Sequence, residues 1–356
     1  MPIQKLLIQD FLQLAQHNPV FDVRSPGEYN HAHIPGAYSL PLFTDEERAV
    51  VGTTYKQQSR QKAIKTGLDY FGPKMKNIVE DVEKIIASIS QSTGKPPSGG
   101  LGVHCWRGGM RSAGVAWLLD LYGFKVYTLV GGYKAYRKWV REQFEKEYPF
   151  KIIGGYTGSG KTLVLQHLAQ QHATIDLEAL ANHKGSAFGA MGPQPTQEMF
   201  ENLLANALGQ QQTINNKPQT IWLEDESQRI GNLQIPMPLW NTMRKSPVYF
   251  LDIPFEERLD YITEEYSKVE KEKLVNSIIR IQKRLGGLET KNAINYLLED
   301  NHKESFRILL RYYDKWYLKG LYNRENPELL LNKIPCSGVD TLTNTQNLVR
   351  WQSATV

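Results

Sequence analysis

The chain has 356 residues, 41% hydrophobic and 22% charged, enough for two domains with their own cores and too apolar for a disordered polymer. Lys and Arg exceed Asp and Glu by five, and the whole excess lies in the first 150 residues, where 19 basic face 14 acidic side chains against 23 of each afterwards; that skew points to a polyanionic partner. Two cysteines, Cys105 and Cys336, exclude a disulfide framework and fit a reducing compartment. The first residues lack the apolar stretch of a signal peptide, and no run approaches the roughly 20 apolar residues of a membrane span, so a soluble, cytoplasmic protein is expected.

In chain order, residues 20–23 read as a buried strand, 75–88 as an amphipathic helix and 91–100, rich in Gly, Pro and Ser, as a loop. Residues 101–104 form a short strand ending at Cys105, and 111–122 carry apolar residues at helical spacing up to Gly123, a helix stop. A β-branched run at 126–130 precedes Gly131-Gly132 and a helix over 134–147. Strands alternating with helices imply a parallel α/β sheet. The pattern restarts near Tyr148-Pro149, with strands expected at 151–155, 173–177, 220–223 and 247–253 and helices between them. From 255 to about 322 the text is rich in Glu, Lys and Arg and helical. The expected organisation is an α/β domain over 1–148, a second α/β core over 149–254, and a helical region over 255–356 that completes the second domain.

Cys105-Trp-Arg-Gly-Gly-Met-Arg111-Ser112 follows a strand and opens a helix. Loop N–H groups converge there, the helix N-terminus adds positive potential, and Arg107 and Arg111 lie nearby. Together they favour a thiolate at Cys105 and would cradle an anion. Upstream, Phe21-Asp22-Val23-Arg24-Ser25-Pro26-Gly27-Glu28-Tyr29 and His33-Ile34-Pro35-Gly36-Ala37, with Gly131-Gly132-Tyr133 after the last strand, resemble the signature of rhodanese domains. That resemblance implies a rhodanese-like parallel sheet, a chalcogen carried on the loop cysteine, and structural roles for Asp22 and Arg24. The five residues between Cys105 and Arg111 exceed the usual sulfurtransferase loop and resemble phosphatase relatives of rhodanese, whose loop embraces a tetrahedral oxyanion. Two readings stay open: a Cys-dependent phosphatase, or a chalcogen carrier whose donor is phosphate-like.

Gly155-Tyr-Thr-Gly158-Ser159-Gly160-Lys161-Thr162 matches G-x-x-x-x-G-K-[ST] between an expected strand and helix, the context of a P-loop NTPase-like domain. Its glycines admit phosphate oxygens, Lys161 neutralises them, and the Thr162 hydroxyl would bind Mg²⁺. The apolar strand Ile221-Trp222-Leu223 runs into Glu224-Asp225-Glu226, where a Walker-B-like ligand belongs, so Asp225 or Glu224 is the candidate. No adenine-reading signature or arginine finger stands out, and any diphosphate suits such a loop. An NTP-switched binding module is the further alternative.

A rhodanese-like domain followed by a P-loop domain resembles the bacterial tRNA 2-selenouridine synthase family. The resemblance extends through Asp176-Leu-Glu178-Ala-Leu-Ala-Asn-His183-Lys184-Gly-Ser186 and Glu224-Asp-Glu-Ser-Gln-Arg229-Ile-Gly231 and thins after about 255. It implies geranylation of wobble 2-thiouridine in tRNA from geranyl diphosphate held on the P-loop, then replacement of the geranylthio group with selenium from selenophosphate at the Cys105 loop. The polar cluster Asp176, Glu178, His183, Lys184 and Ser186 would lie at the ligand crevice, and Arg229 would touch phosphate or RNA, or pair with the nearby carboxylates. For tRNA contact the residues offer Lys56, Arg60, Lys62 and Lys65 in a basic run that continues to Lys76, and Arg311 in Arg311-Tyr-Tyr-Asp-Lys-Trp-Tyr317, which interleaves bases with aromatics.

Overall fold

The structure, a computed structural model, describes residues 3–95, 97, 99–183, 192–211 and 219–354. The chain divides into two compact units, Met1–Gln143 and Phe144–Val356.

The first unit runs β1 (Gln4–Leu6), α1 (Ile8–Ala15), β2 (Val20–Asp22), α2 (Pro26–His31), β3 (Tyr38–Ser39), α3 (Asp45–Gln57), α4 (Arg60–Phe71), α5 (Met75–Thr93), β4 (Leu101–His104), α6 (Met110–Tyr122), β5 (Val126–Leu129) and α7 (Gly132–Phe144). Its strands form one parallel sheet in the order β1-β5-β4-β2-β3. β2 and β4 are buried throughout, as strands covered on both faces must be. Phe21, Val103 and Val115 fill the core between sheet and helices. Local chemistry sets several helix starts: Ser25 with Glu28, and Thr44 with Glu47, form reciprocal capping boxes. The helix expected to end at 88 continues to Thr93, where Gly94 turns left-handed. The order of strands reverses between β2 and β4, so the loop after β4 opens on the crevice where such sheets bind ligands.

Asp22 and Arg24 lie in this core, 0% and 1% exposed. The Arg24 guanidinium donates to both Asp22 carboxylate oxygens and to the Ala32 carbonyl at 2.7 Å, and stacks 3.8 Å from the Tyr133 ring centroid. Removing one partner of a buried pair strands the other charge. Asp22→Ala should therefore cost about 3–5 kcal/mol, read from the urea midpoint; a change below about 1 kcal/mol, the worth of a surface pair, would contradict it.

The second unit runs β6 (Phe150–Gly155), α8 (Lys161–Leu168), β7 (Ala173–Ile175), α9 (Leu177–Ala181), α10 (Gln197–Gln210), β8 (Ile221–Glu224), the short hairpin β9 (Arg229–Ile230) and β10 (Leu233–Gln234), α11 (Met237–Lys245), β11 (Val248–Asp252), α12 (Phe255–Tyr266), α13 (Lys271–Leu285), α14 (Gly287–Leu298), α15 (His302–Tyr322), α16 (Pro327–Leu330), β12 (Leu331–Pro335) and α17 (Thr341–Ala354). Its main sheet is parallel, in the order β12-β11-β6-β8-β7. The region after 255 is thus helical only up to α16; β12 then returns to pair with β11, and α17 packs beside α8. Helices α12 to α15 enclose a separate apolar core around Leu259, Ile278 and Leu309. Among the described residues, no helix is long and apolar enough to cross a membrane.

Candidate active site

In the first unit the loop between β4 and α6 is sewn to the start of α7. The Cys105 carbonyl accepts the Tyr133 N–H at 2.8 Å, and the Trp106 carbonyl accepts that of Lys134 at 2.9 Å. The approach is so close that a Cβ on Gly132, itself at φ +57°, would collide with the Cys105 carbonyl and the Gly108 nitrogen; only glycine fits. Cys105 is buried, its sulfur 3.3 Å from the Ser112 hydroxyl. Burial pushes the thiol up, but hydrogen bonds from the Ser112 hydroxyl and backbone, the charge of Arg111 and the Gly109 N–H outweigh it, and the thiol titrates below its ordinary value.

Arg111 reaches Cys105 electrostatically while its guanidinium grips Glu28 at 2.7 and 3.4 Å. Glu28 also faces Arg48 at 3.8 Å and closes the α2 cap, so one carboxylate fixes the direction of Arg111. Arg107, Trp106 and Met110 are exposed on the same loop. The structure therefore brings Cys105 and Arg111 together and leaves Arg107 on the rim. Ser112 and Glu28 were not singled out from sequence; the only signals were a serine directly after Arg111 and a carboxylate inside a capping motif. The basic run lies on α3 and α4, where Lys56, Arg60, Lys62 and Lys65 are exposed and form no ion pair among the described residues. Arg60 comes within 4.0 Å of the Met110 sulfur, which sets α4 beside the cysteine loop. Lys74 is spent on Glu47, and Lys76 pairs with Glu80 at 3.3 Å.

In the second unit the phosphate loop joins β6 to α8 at the point where the strand order reverses. Lys161 lies back across the loop, donating to the Gly155 carbonyl at 2.9 Å and the Tyr156 carbonyl at 3.4 Å. Ser159 is buried, its hydroxyl on the Tyr156 carbonyl at 2.7 Å. Arg258, 2% exposed, donates to the Thr157 carbonyl at 3.0 Å and grips Asp314 at 2.8 and 2.9 Å, bracing the loop from behind.

The two strand-end carboxylates part company. Asp225 accepts from the Tyr317 hydroxyl at 2.9 Å and from Arg324, and Tyr317 in turn accepts the Gly155 N–H at 3.1 Å. Both Asp225 oxygens are thus engaged, by Tyr317 of α15 and by Arg324 just after it, so Asp225 braces the loop while Glu224 keeps an unpartnered oxygen. Glu224 is buried beside Thr162, whose hydroxyl hydrogen-bonds its carboxylate, and its Oε1 has no partner. Burial drives its pKa up to about 7, with Glu178 and Asp176 adding to the rise and Lys161 and Thr162 opposing it. Glu226 is likewise pushed well above the carboxylate range by burial, Glu178 and Glu224. Among the described residues no three His, Cys, Asp or Glu side chains form a ready metal cage. Mg²⁺ bound largely through phosphate oxygens and water needs only one or two protein ligands, and Thr162 with the orphaned Glu224 oxygen fits that need.

In the folded chain Glu224 keeps its proton up to about pH 7, against an ordinary 4.5. Its contribution to stability is complete below the lower value and is lost as pH rises through the upper one. The difference is worth about 3 kcal/mol. Glu224→Gln should therefore flatten the decline in unfolding free energy of the ligand-free protein across that window by about this amount; parallel wild-type and variant profiles would contradict the assignment.

Asp176 caps α9 through the Ala179 N–H at 2.8 Å, and Asp176 and Glu178 both act on Glu224, while Lys184 and Ser186 lie outside the described residues. Arg229 turns back on its own hairpin, donating to the Gly231 carbonyl at 2.8 Å, and pairs with no carboxylate among the described residues. Arg311 is exposed, 5.9 Å from the Phe255 ring centre. Of the aromatics around it, Tyr312 and Tyr313 pack on the helical core and Tyr317 faces the phosphate loop. Trp316 alone of these is exposed, flanked by Arg284 and Lys319.

A family model described as the tRNA 2-selenouridine synthase AAA domain matches residues 148–334, and one for the rhodanese-like domain matches residues 7–138. The chain is 35% identical over 343 residues to a tRNA 2-selenouridine synthase of a Sulfurovum species, covering 88% of this chain and 90% of that protein. It is 34% identical over 348 residues to the enzyme of that name from Shewanella frigidimarina, covering 88% and 91%. To the namesake from Nitrosomonas europaea it is 39% identical over 254 residues, a span of 70% of this chain and 63%, just under two thirds, of that protein.

Proposed function

The chain belongs to the tRNA 2-selenouridine synthase family, and from that premise we propose that its two loops serve two halves of a chalcogen exchange at the wobble 2-thiouridine of tRNA. In the first half the loop from Gly155 to Thr162 holds geranyl diphosphate. The thiouridine sulfur bonds to the first geranyl carbon, the carbon–oxygen bond breaks, and diphosphate leaves with its charge met by Lys161 and the loop N–H groups. Mg²⁺, held by Thr162 and Glu224, would add charge neutralisation there.

In the second half the Cys105 loop receives selenophosphate. Selenium bonds to C2 of the base, geranylthiol is expelled, and hydrolysis of the phosphorus–selenium bond releases phosphate. The observation that carries this reading is Cys105 itself: a buried thiol favoured as thiolate by Ser112 and Arg111, in a loop whose five residues before Arg111 resemble those that embrace a tetrahedral oxyanion. Lys56, Arg60, Lys62 and Lys65 supply phosphate contacts for the tRNA, Arg311 a further basic contact, and Trp316, flanked by Arg284 and Lys319, an aromatic one. The test is mass spectrometry of nucleosides from tRNA incubated with the protein, geranyl diphosphate and selenophosphate. S-geranyl-2-thiouridine and 2-selenouridine are expected; unaltered 2-thiouridine would overturn the reading.

A further inference from the structure

We propose that Trp106 is a stacking platform that receives the unpaired target base of the tRNA at the cysteine loop. Trp106 directly follows Cys105, yet it is 38% exposed whereas Cys105 is buried. Its indole is not loose. The ring centre lies 5.7 Å from that of Tyr133, with the planes inclined at 40°, and the Trp106 carbonyl accepts the Lys134 N–H. Tyr133 is itself 0% exposed and carries the Arg24 guanidinium 3.8 Å from its ring centre. A buried guanidinium, a buried phenol and a partly exposed indole thus form one braced row that ends on the cysteine loop.

A ring held in this way can stack on a planar ligand with little further loss of side-chain freedom, a large cost of ordering exposed side chains on binding. Arg107 is exposed at the next position, and Arg60 comes within 4.0 Å of the Met110 sulfur on the same loop. An exposed aromatic ring among cations suits single-stranded nucleic acid: the cations meet phosphates and the ring meets a base. The oxyanion donor makes no use of an indole; a base does. A wobble base lies in a single-stranded loop, so no base pair is broken to reach its face. The second half of the exchange needs C2 of that base beside Cys105, and a platform one residue away would hold it there. This inference rests on the reading that the cysteine loop acts on a tRNA base, and adds which residue takes the base.

The test measures binding of the full chain, by fluorescence anisotropy, to an anticodon stem-loop RNA with 2-selenouridine, the product of the second half, at the wobble position. The same RNA made abasic at that position is the comparison. Stacking on one aromatic ring should make the base-bearing RNA bind at least about fivefold more tightly. Trp106→Ala should remove that preference while leaving the abasic RNA unaffected, and Trp106→Phe should restore part of it, a rescue that a purely structural role would not give. The bonds that join the loop to Tyr133 and Lys134 are backbone bonds, so the alanine variant should fold. Should it not, irradiation of the natural protein with RNA carrying 5-iodouridine at the wobble position is expected to cross-link Trp106, mapped by peptide mass spectrometry. Equal binding of both RNAs, a preference that survives Trp106→Ala, or cross-links only at other residues would overturn the platform and leave the tRNA reading standing. Absence of binding to either RNA at low salt would overturn that reading and the platform with it.

Discussion

Cys105→Ser is expected to lower selenium incorporation by about 10²–10⁴, the scale of losing a positioned base, here the thiolate that would take a proton from the water that hydrolyses the phosphorus–selenium bond, while S-geranylation proceeds at its normal rate. The hydroxyl keeps the size of the thiol, and the loop should survive because its shape rests on backbone bonds from Cys105 and Trp106 to Tyr133 and Lys134. What vanishes is the ionised sulfur: a serine hydroxyl stays protonated in the field of Ser112, Gly109 and Arg111 that lowers the thiol. The measurement supplies tRNA already carrying S-geranyl-2-thiouridine and follows 2-selenouridine over time. A wild-type rate in the variant would remove Cys105 from the chemistry.

Lys161→Ala should produce the mirror image. Geranyl transfer is expected to fall by about 10²–10³, the usual loss on deleting one donor to a developing anion, with selenation of pre-geranylated tRNA spared. Lys161 is also a positive charge that opposes the upward shift of Glu224 and Glu226, so the variant should hold those protons to still higher pH. Single-turnover geranylation at saturating geranyl diphosphate gives the readout, and an unchanged rate constant would exclude the lysine from stabilising the leaving group.

Both loops were legible in the sequence because each is local. A short apolar strand, a glycine-rich turn and a helix with regular apolar spacing lie within some 20 residues around Cys105 and again around Lys161. The partners that tune them were not, because the fold brings them from far along the chain. Glu28 reaches Arg111 across 83 residues, Tyr317 reaches Asp225 across 92, and Arg324 reaches it across 99. The choice between Glu224 and Asp225 likewise could not be read from composition. Neighbours at a strand end face opposite sides, and only the packing of α15 shows which one is consumed. β12 escaped notice for a related reason: Leu331-Asn-Lys-Ile-Pro335 is an edge strand without alternation, defined by its pairing with β11 some 83 residues earlier. In the basic run, attention to charge hid the buried Ala63, Gly67 and Phe71, spaced four apart, that make α4 a packed helix.

The hydrogen-bond chain from Gly155 through Tyr317 to Asp225 and Arg324 has a consequence for dissecting the protein. The sequence motif of the phosphate loop ends at Thr162, but the loop's structural support does not end until Arg324. A fragment cut after β11 would carry every residue of the motif, yet would leave Asp225 with neither partner and the Gly155 N–H without its acceptor. The smallest transplantable module is therefore set by the last residue that braces the loop, and a graft intended to move the loop into another scaffold must take α15 and the chain up to Arg324 along with the glycines.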